Sequence, residues 1–276
     1  MVEMEMSYYK DKLIILGAFV GSFKCEVETF KPYVDWIIKY IKFPNIVVST
    51  HYNRKFLYDD YVTVIPILKE CSVDELGQVD HKHNIINKNY EVLMNNIKNY
   101  LAKNTAFKKN DMITYNLGYT RNMKIFESQK FYQSFPKISV DTKDNILYIP
   151  HWSQLEEEHK EIYETIKNDV TILGDRKIHL QEHNALLEEP NYSDIVFEQI
   201  VGRIQNCSAV ITPCSHWTTI CNLHKVSVFS WGYPVGRYKR QINNKSVIVP
   251  FNNNDIDSLI KCIKKFIKDV KGKENV

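Results

Sequence analysis

The sequence predicts an α/β fold in two domains, each built on a parallel β-sheet covered by helices. Short apolar runs that are typical of strands alternate along the chain with segments whose apolar residues keep helical spacing. The first run, residues 13–20, has no polar side chain, as expected of a strand buried on both faces. The chain has 276 residues, which fits two domains of ordinary size. We therefore expect two Rossmann-like domains, residues 1–143 and 144–276, with a cleft between them.

In the first domain, the helix-like spacing covers two segments, and Pro32 near the start of the first is tolerated because a first-turn N–H is unpaired anyway. The helices are predicted at residues 27–41 and 88–103. Strands are predicted at residues 13–20, 45–49, 61–65 and 112–115. Pro66 is expected to end the third strand, and the aromatic and basic stretch 118–143 is expected to be irregular.

The second domain has the clearer pattern, with linked strand–helix–strand units. Because such crossovers are right-handed, they predict a doubly wound sheet. Strands are predicted at residues 146–149, 170–173, 209–212, 226–229 and 246–249. Ser153 and Glu156 have capping-box spacing before a helix that runs to about residue 168. Three further helices are predicted: from 193 or 194, from Ser215 to 223, and from 255 to 270. The last of these could pack back on the first domain.

Composition and missing motifs exclude several classes of protein. The 36 Lys and Arg nearly balance the 33 Asp and Glu, so charge gives no sign of nucleic-acid binding. The glycine motifs of dinucleotide dehydrogenases and P-loop kinases are absent, as is the zinc-protease motif. The six cysteines show no C-x-x-C spacing, and we expect neither a metal nor a cofactor.

No run reaches the roughly 18 apolar residues of a membrane helix. The first twelve residues are acidic and carry no basic segment followed by an apolar one. A signal peptide is therefore not expected, and a cytoplasmic location is.

The loops that follow the predicted strands are the expected ligand sites, because ligands bind at the carboxyl ends of parallel strands. In the segment Thr212–Thr219 a strand ends at Pro213 and a helix begins within four residues. The first helical N–H groups are expected to be unpaired and to seat a diphosphate. The hydroxyls of Ser215 and Thr218 and the ring of His216 could add bonds. The alternative is that Ser215 only caps the helix and His216 packs locally.

The same region resembles a known family. Residues 210–232 look like the late β-α-β unit of GT-B glycosyltransferases, and are most similar to the heptosyltransferase-like branch. The segment 17–21, followed by Glu26 and Glu28, resembles the N-terminal acceptor domain of these enzymes. Where the family has Asp-Ser/Thr-Gly in the phosphate-binding turn, this chain has Pro213-Cys214-Ser215, without a glycine.

The resemblance implies metal-independent transfer of a sugar from a nucleotide-sugar donor to a hydroxyl of a glycan or glycoconjugate. The leaving diphosphate needs electrostatic stabilisation, which the helix start at Ser215 and a cation, Arg237 or Arg176, could give. Ser153 and Asp175, in neighbouring loops of the second domain, are further donor-side candidates.

The acceptor hydroxyl needs a base, and the resemblance places that base in the first domain. Glu26, Glu28 and His51 follow predicted strands there and are the candidates. The alternative for the two glutamates is that they only favour a helix N-terminus.

Three other interpretations remain open. The chain could transfer sugar to a modified DNA base, an idea motivated weakly by the aromatic stretch 115–132, although nucleic acid is not the expected partner. The missing glycine also fits an inactive nucleotide-binding or scaffold protein of this fold. The lysine-rich terminal helix could make a peripheral contact with an anionic membrane. Its lysines are Lys261, Lys264, Lys265, Lys268, Lys271 and Lys273.

Overall fold

The structure, a computed structural model, divides the chain into two compact units. It describes residues 7–19, 23, 26–58, 63–67, 88–115, 134–142, 144–150, 156–173, 196–232, 246–250 and 255–274. The first unit holds the described residues up to Pro136 and the second holds those from Lys137 onward. The boundary expected from the sequence, after residue 143, lies seven residues further along the chain.

The first unit contains a four-stranded parallel sheet in the order β3-β2-β1-β4. Its strands are β1 (Leu13–Leu16), β2 (Ile46–His51), β3 (Thr63–Ile67) and β4 (Met112–Tyr115). A helical segment follows β1, made of a π-helical turn Glu26–Phe30, the helix α1 (Lys31–Trp36) and a second π-helical turn Ile37–Ile41. The remaining helices are a 3-10 helix Tyr52–Leu57, α2 (Lys88–Asn104) and a 3-10 turn Lys109–Asp111.

Both faces of β1 are buried, as the apolar run predicts. Leu13 and Ile15 pack with Leu93, Ile97 and other residues of α2 in one core cluster. Ile14 and Leu16 alternate to the opposite face and are fully buried there. The segment Glu26–Ile41 lies on this second face, because a residue of its first turn hydrogen-bonds to Thr50, which shares that face.

The prediction that Pro66 ends the third strand is wrong. Pro66 lies inside β3 and pairs in register with Thr50. Among the described strands β3 is at the edge of its sheet, and an edge strand tolerates a residue that has no N–H to donate. The predicted helix 27–41 is present, but π-helical turns replace α-helix at both of its ends.

The second unit contains a five-stranded parallel sheet in the order β6-β5-β7-β8-β9. Its strands are β5 (Ile146–Tyr148), β6 (Thr171–Ile172), β7 (Ala209–Pro213), β8 (Ser227–Trp231) and β9 (Ser246–Val249). Its helices are α3 (Glu156–Ile166), α4 (Val196–Asn206), α5 (His216–Leu223) and α6 (Ile256–Glu274).

Helices cover both faces of this sheet, which confirms the predicted doubly wound arrangement. One face packs on α3 and α6, with Tyr148 and Phe229 against Ile263 and Phe266 in a single core cluster. The other face is covered by α5, where a helix hydroxyl meets that of Ser230. The terminal helix α6 is thus part of the core of the second unit. No helix in the described part of the chain is both long and apolar enough to cross a bilayer.

Candidate functional site

Among the described strands, each sheet has one position where the strand order reverses direction. In doubly wound sheets the ligand binds at this position. In the first sheet the order reverses between β1 and β4, which are neighbours. In the second sheet it reverses between β5 and β7. Loops that leave these strands at their carboxyl ends flank a crevice in doubly wound sheets. Gly17 follows β1, and the Pro213–Ser215 turn leaves β7 at this position.

Gly17 lets the chain leave β1 by a route that no other residue could follow. Its φ is +113°, and a Cβ atom there would lie 2.3 Å from the carbonyl oxygen of Ser49. Two residues on, the N–H of Phe19 donates to this same carbonyl at 2.8 Å. The chain therefore crosses closely over the carboxyl end of β2 before the segment that carries Glu26.

Glu26 lies at the centre of a buried hydrogen-bond network. Its Oε1 accepts bonds from the hydroxyls of Thr50 and Tyr58, the latter at 3.0 Å. Its Oε2 accepts a bond of 2.9 Å from Nη1 of Arg54. Both side chains of this ion pair are 0% exposed. The ring of Phe23, also buried, lies beside the guanidinium, with its centroid 6.0 Å from Cζ, within range of a cation–π contact.

Burial raises the pKa of Glu26 above its ordinary value of 4.5, because the ionised carboxylate loses its hydration. The charge of Arg54 and the hydrogen bonds from Thr50, Arg54 and Tyr58 lower the pKa and oppose this effect. The resulting group is a desolvated carboxylate with partners on both oxygens. Raised pKa values of this kind make a carboxylate a stronger base.

Other buried charges lie on the same helical segment. Glu28 is 3% exposed. Lys31 donates to Asp35, one turn later, at 2.7 Å, and both side chains are buried. The Lys31 ammonium also lies 5.2 Å from the ring centroid of Phe135, and burial lowers its pKa. Since buried charges are costly unless paired, this segment keeps its charges through specific pairs.

The third candidate base, His51, is the last residue of β2. It therefore lies at the carboxyl edge of the sheet, one residue from Thr50. Its side chain lies outside the described part of the structure. Catalytic roles for Glu26, Glu28 and His51 stay predictions.

On the donor side, Ser215 begins α5 with a complete capping box. Its Oγ accepts from the N–H of Trp217 at 3.3 Å, and its own N–H donates to Oγ1 of Thr218 at 3.3 Å. The N–H of Thr218 donates to the carbonyl of Ser215 at 3.0 Å. The expectation that the first amides of this helix are unpaired is therefore wrong for Trp217 and Thr218. The hydrogen-bond partners of these two amides come from Ser215, because a Ser and a Thr at capping-box spacing pair each other's side chains and backbone N–H groups.

The hydroxyl of Thr218 is engaged a second time, with Ser230 of β8 at 2.9 Å. His216 is fully buried, and its ring lies on that of Trp217 with centroids 4.4 Å apart. Pro213 and Cys214 are partly exposed, so they form the accessible surface of this turn in the described structure. Donor binding by Pro213, Ser215, His216 and Thr218 stays a prediction.

Four further donor-side residues lie outside the described residues: Ser153, Asp175, Arg176 and Arg237. Their predicted roles stay predictions. The aromatic stretch 115–132 that motivated the DNA interpretation also lies outside them, apart from Tyr115. Within the described ranges, no three side chains of metal-ligating type converge.

The loop of residues 50–54 is one of the ligand loops expected from the sequence, but the pattern assigns no role to the individual partners of Glu26. Thr50 and Arg54 lie in a loop region after a predicted strand, and Tyr58 follows soon after. Arg54 and Glu26 are separated by 28 residues in the sequence, and a contact between such distant residues produces no periodic pattern in the sequence. The contact could have been suggested only by the fact that two adjacent parallel strands end at the same edge of the sheet, which brings the segments after them together.

Comparisons with known proteins bear on the fold. No family model matches the chain, and no curated protein matches it. Among solved structures, it is similar to a family 9 glycosyltransferase from Veillonella parvula, with a TM-score of 0.52 and 9% identity, over 94% of this chain and 97% of that one. It also matches the E. coli heptosyltransferase WaaC with ADP, with a TM-score of 0.49, 10% identity, and coverage of 94% and 99%. The similarity to the V. parvula protein confirms the two-domain GT-B-like α/β fold that the sequence resemblance implied.

Proposed function

We propose that this protein transfers a sugar from a nucleotide-sugar donor to a hydroxyl group of a glycan or glycoconjugate, without a metal. The observation that carries the proposal is the position of the Pro213–Ser215 turn at the reversal of strand order in the second sheet. In doubly wound sheets this is the place where nucleotides bind. The shared fold with a family 9 glycosyltransferase supports it by analogy.

The proposed reaction is a single displacement. The acceptor oxygen attacks the anomeric carbon of the donor, and its proton passes to a base. The bond between the anomeric carbon and the diphosphate oxygen breaks, and the nucleoside diphosphate leaves with that electron pair. A base raises the nucleophilicity of the acceptor, and positive potential near the diphosphate stabilises the leaving group.

Among the three candidates, we assign the base to Glu26. Its carboxylate is fully buried, and burial raises its pKa. A desolvated carboxylate with a raised pKa accepts a proton more readily than an exposed one at neutral pH. Its position in the helical segment after β1 also matches the segment that resembles the acceptor domain of the family.

On the donor side, the diphosphate is proposed to lie against the exposed surface of the turn at Pro213 and Cys214, before the start of α5. The positive end of the helix dipole favours an anion there. The hydroxyls of Ser215 and Thr218 act by fixing this turn, since the cap and Ser230 already hold them.

Calorimetric titration with UDP-, GDP-, ADP- and CMP-sugars tests the proposal. We expect one nucleotide class to bind, and we expect Cys214→Asp to weaken that binding by about 10-fold or more. A carboxylate at the turn repels the diphosphate, and a tenfold loss corresponds to roughly 1.4 kcal/mol. Cys214 is partly exposed, and circular dichroism checks that the variant is folded.

The matched control is Cys262→Asp, which places the same charge on the exposed face of α6 and should leave donor binding unchanged. Equal weakening by both variants would count against a donor site at this turn. Absence of binding for all four classes of nucleotide-sugar would remove the proposed function.

The terminal helix supports a second contact, with an anionic membrane surface. Its core-facing side is buried in the second unit, and its opposite side carries four exposed lysines. These are Lys261, Lys264, Lys265 and Lys268. Near an anionic surface each lysine contributes about 1 kcal/mol, and the attraction falls as salt screens it.

We expect the protein to co-sediment with vesicles that contain phosphatidylglycerol and not with purely zwitterionic ones, and to be released by high salt. The double variant Lys264→Glu/Lys268→Glu should lose most of this binding. Lys103→Glu/Lys108→Glu, at exposed positions of the first unit, makes the same change in net charge and should retain it. Equal loss in both double variants would instead indicate an effect of net charge alone.

A further inference from the structure

The partners of Glu26 divide its two carboxylate oxygens between two kinds of group. Oε2 is held by a permanent charge, the guanidinium of Arg54. Oε1 is held by two neutral hydroxyls, from Thr50 and Tyr58. Guanidinium groups do not deprotonate in proteins, so only Oε1 has partners that another hydroxyl could replace. The two oxygens are therefore suited to different tasks.

The two hydroxyls on Oε1 come from different kinds of backbone, although both side chains are buried. Thr50 belongs to β2, which is paired with β1 on one side and with β3 on the other. Tyr58 follows the short 3-10 helix Tyr52–Leu57, and its N–H bonds back to Lys55. The tyrosine hydroxyl is thus the partner that lies on a local turn, outside the sheet ladder.

We infer that Arg54 and Tyr58 are positioning residues for the base of the transfer reaction. Arg54 holds Oε2 and favours the ionised carboxylate, and the Tyr58 hydroxyl occupies the place at Oε1 that the acceptor hydroxyl takes in the reacting complex. Because Glu26 and Tyr58 both have no exposed surface, an acceptor reaches Oε1 when the Tyr58 side chain moves and gives up its bond. The acceptor proton then passes to Oε1 as its oxygen attacks the anomeric carbon.

This inference rests on the proposed function, but the effect of Arg54 and Tyr58 on the pKa of Glu26 can be measured without any substrate. The described groups that shift the pKa of Glu26 are Thr50, Arg54 and Tyr58. Glu28 lies in the same turn, two residues along. Removing a group that favours the ionised carboxylate must raise the pKa of Glu26. The size of the rise reports how strongly that group holds the charge.

The experiment follows the carboxyl carbon of Glu26 by NMR during a pH titration of protein labelled with ¹³C-glutamate. The resonance is assigned by its loss in Glu26→Gln. We expect Tyr58→Phe to raise the pKa of Glu26 by about one unit and Arg54→Met to raise it by about 1–3 units. Arg54→Lys retains the charge and should restore most of the wild-type value. Tyr9→Phe is the matched control, since its hydroxyl meets Tyr115, and it should leave the Glu26 titration unchanged.

The same variants are then assayed for transfer. The acid limb of kcat/KM should move to higher pH by the same amount as the NMR titration. The alkaline plateau of Tyr58→Phe should fall far less than the roughly 100-fold or more expected when a base is removed. A merely structural tyrosine would lower the plateau and leave the acid limb in place, which would overturn the inference.

The positioning role and the proposed function are overturned by different results. An unchanged Glu26 titration in Tyr58→Phe overturns the positioning role, whatever the activity of the variant. If Arg54→Met does not fold, Tyr58→Phe alone still tests the inference. If the variants shift the titration of Glu26 but the wild-type protein turns over no nucleotide-sugar, the proposed function is overturned, and with it the proton transfer to Oε1.

Discussion

Arg54→Met is expected to lower the free energy of unfolding by about 3–5 kcal/mol at pH 8. The substitution keeps an apolar stem of similar length but removes the guanidinium that donates to Glu26 Oε2. The carboxylate remains, with both members of the former pair 0% exposed. A buried charge that loses its partner costs far more than an exposed one, because no water replaces the lost hydrogen bond. Urea denaturation followed by circular dichroism measures the change.

The double variant Glu26→Met/Arg54→Met should be more stable than Arg54→Met alone. Replacing both members of a buried ion pair with apolar residues is often close to neutral. Lys167→Met is the control, because it breaks an ion pair with Glu164 in which both side chains are about half exposed. Such exposed pairs contribute little to stability, because water screens the attraction between the charges. A double variant as unstable as the single one would show that packing, and not charge pairing, explains the loss.

The stability of the wild-type protein should depend on the titration of Glu26 in a defined direction. Because its folded pKa lies above the ordinary value of 4.5, the folded chain holds the extra proton between the two pKa values. Its contribution to stability is complete below about the ordinary value and is lost as pH rises through the folded one. In Arg54→Met this folded pKa is higher still, so its destabilisation should shrink as pH falls toward 5.

Much of the fold could be predicted from the sequence because its strands are local apolar runs. The β4 and β9 bounds and the start of α2 agree with the pattern. Pro66 could not be placed correctly, since its tolerance depends on β3 being an edge strand. Strand order is a property of pairing between distant segments, and no single segment encodes it. The continuous helical spacing of residues 27–41 likewise does not reveal its π-helical turns.

The candidate site was predictable in its position but not in its partners. The rule for carboxyl ends of strands predicts the turn at Pro213 from local patterns, whereas Glu26 becomes a candidate base through the family resemblance together with its position after the first strand. These patterns could not show that Thr218 is held by Ser230, or that Glu26 is held by Arg54, since each pair joins residues of two separate segments of the chain. The same limitation explains the error on the amides of α5: Ser215 was weighed both as a cap and as a phosphate ligand, and the cap is what the structure shows.

The second large effect is expected at Gly17. Gly17→Ala should lower the free energy of unfolding by roughly 3 kcal/mol or more, because two costs add. An L-residue at φ +113° is strained, and its Cβ would lie 2.3 Å from the carbonyl oxygen of Ser49. That oxygen is backbone in β2 and accepts the N–H of Phe19, so it cannot turn away as a side chain could. Urea denaturation measures the loss.

Two other glycines separate the contributions. Gly232→Ala has a similar φ of +103° with nothing within 4 Å of the added Cβ, so it isolates the backbone strain, about 1–3 kcal/mol. Gly272→Ala, within α6 and also in open space, should stabilise by about 0.5–1 kcal/mol, because alanine is the better helix former. The excess of Gly17→Ala over Gly232→Ala then measures the contact with Ser49. If the two losses were equal, the close crossing of the chain over the end of β2 would not constrain this position, and the path that leads from β1 to Glu26 could accept a side chain.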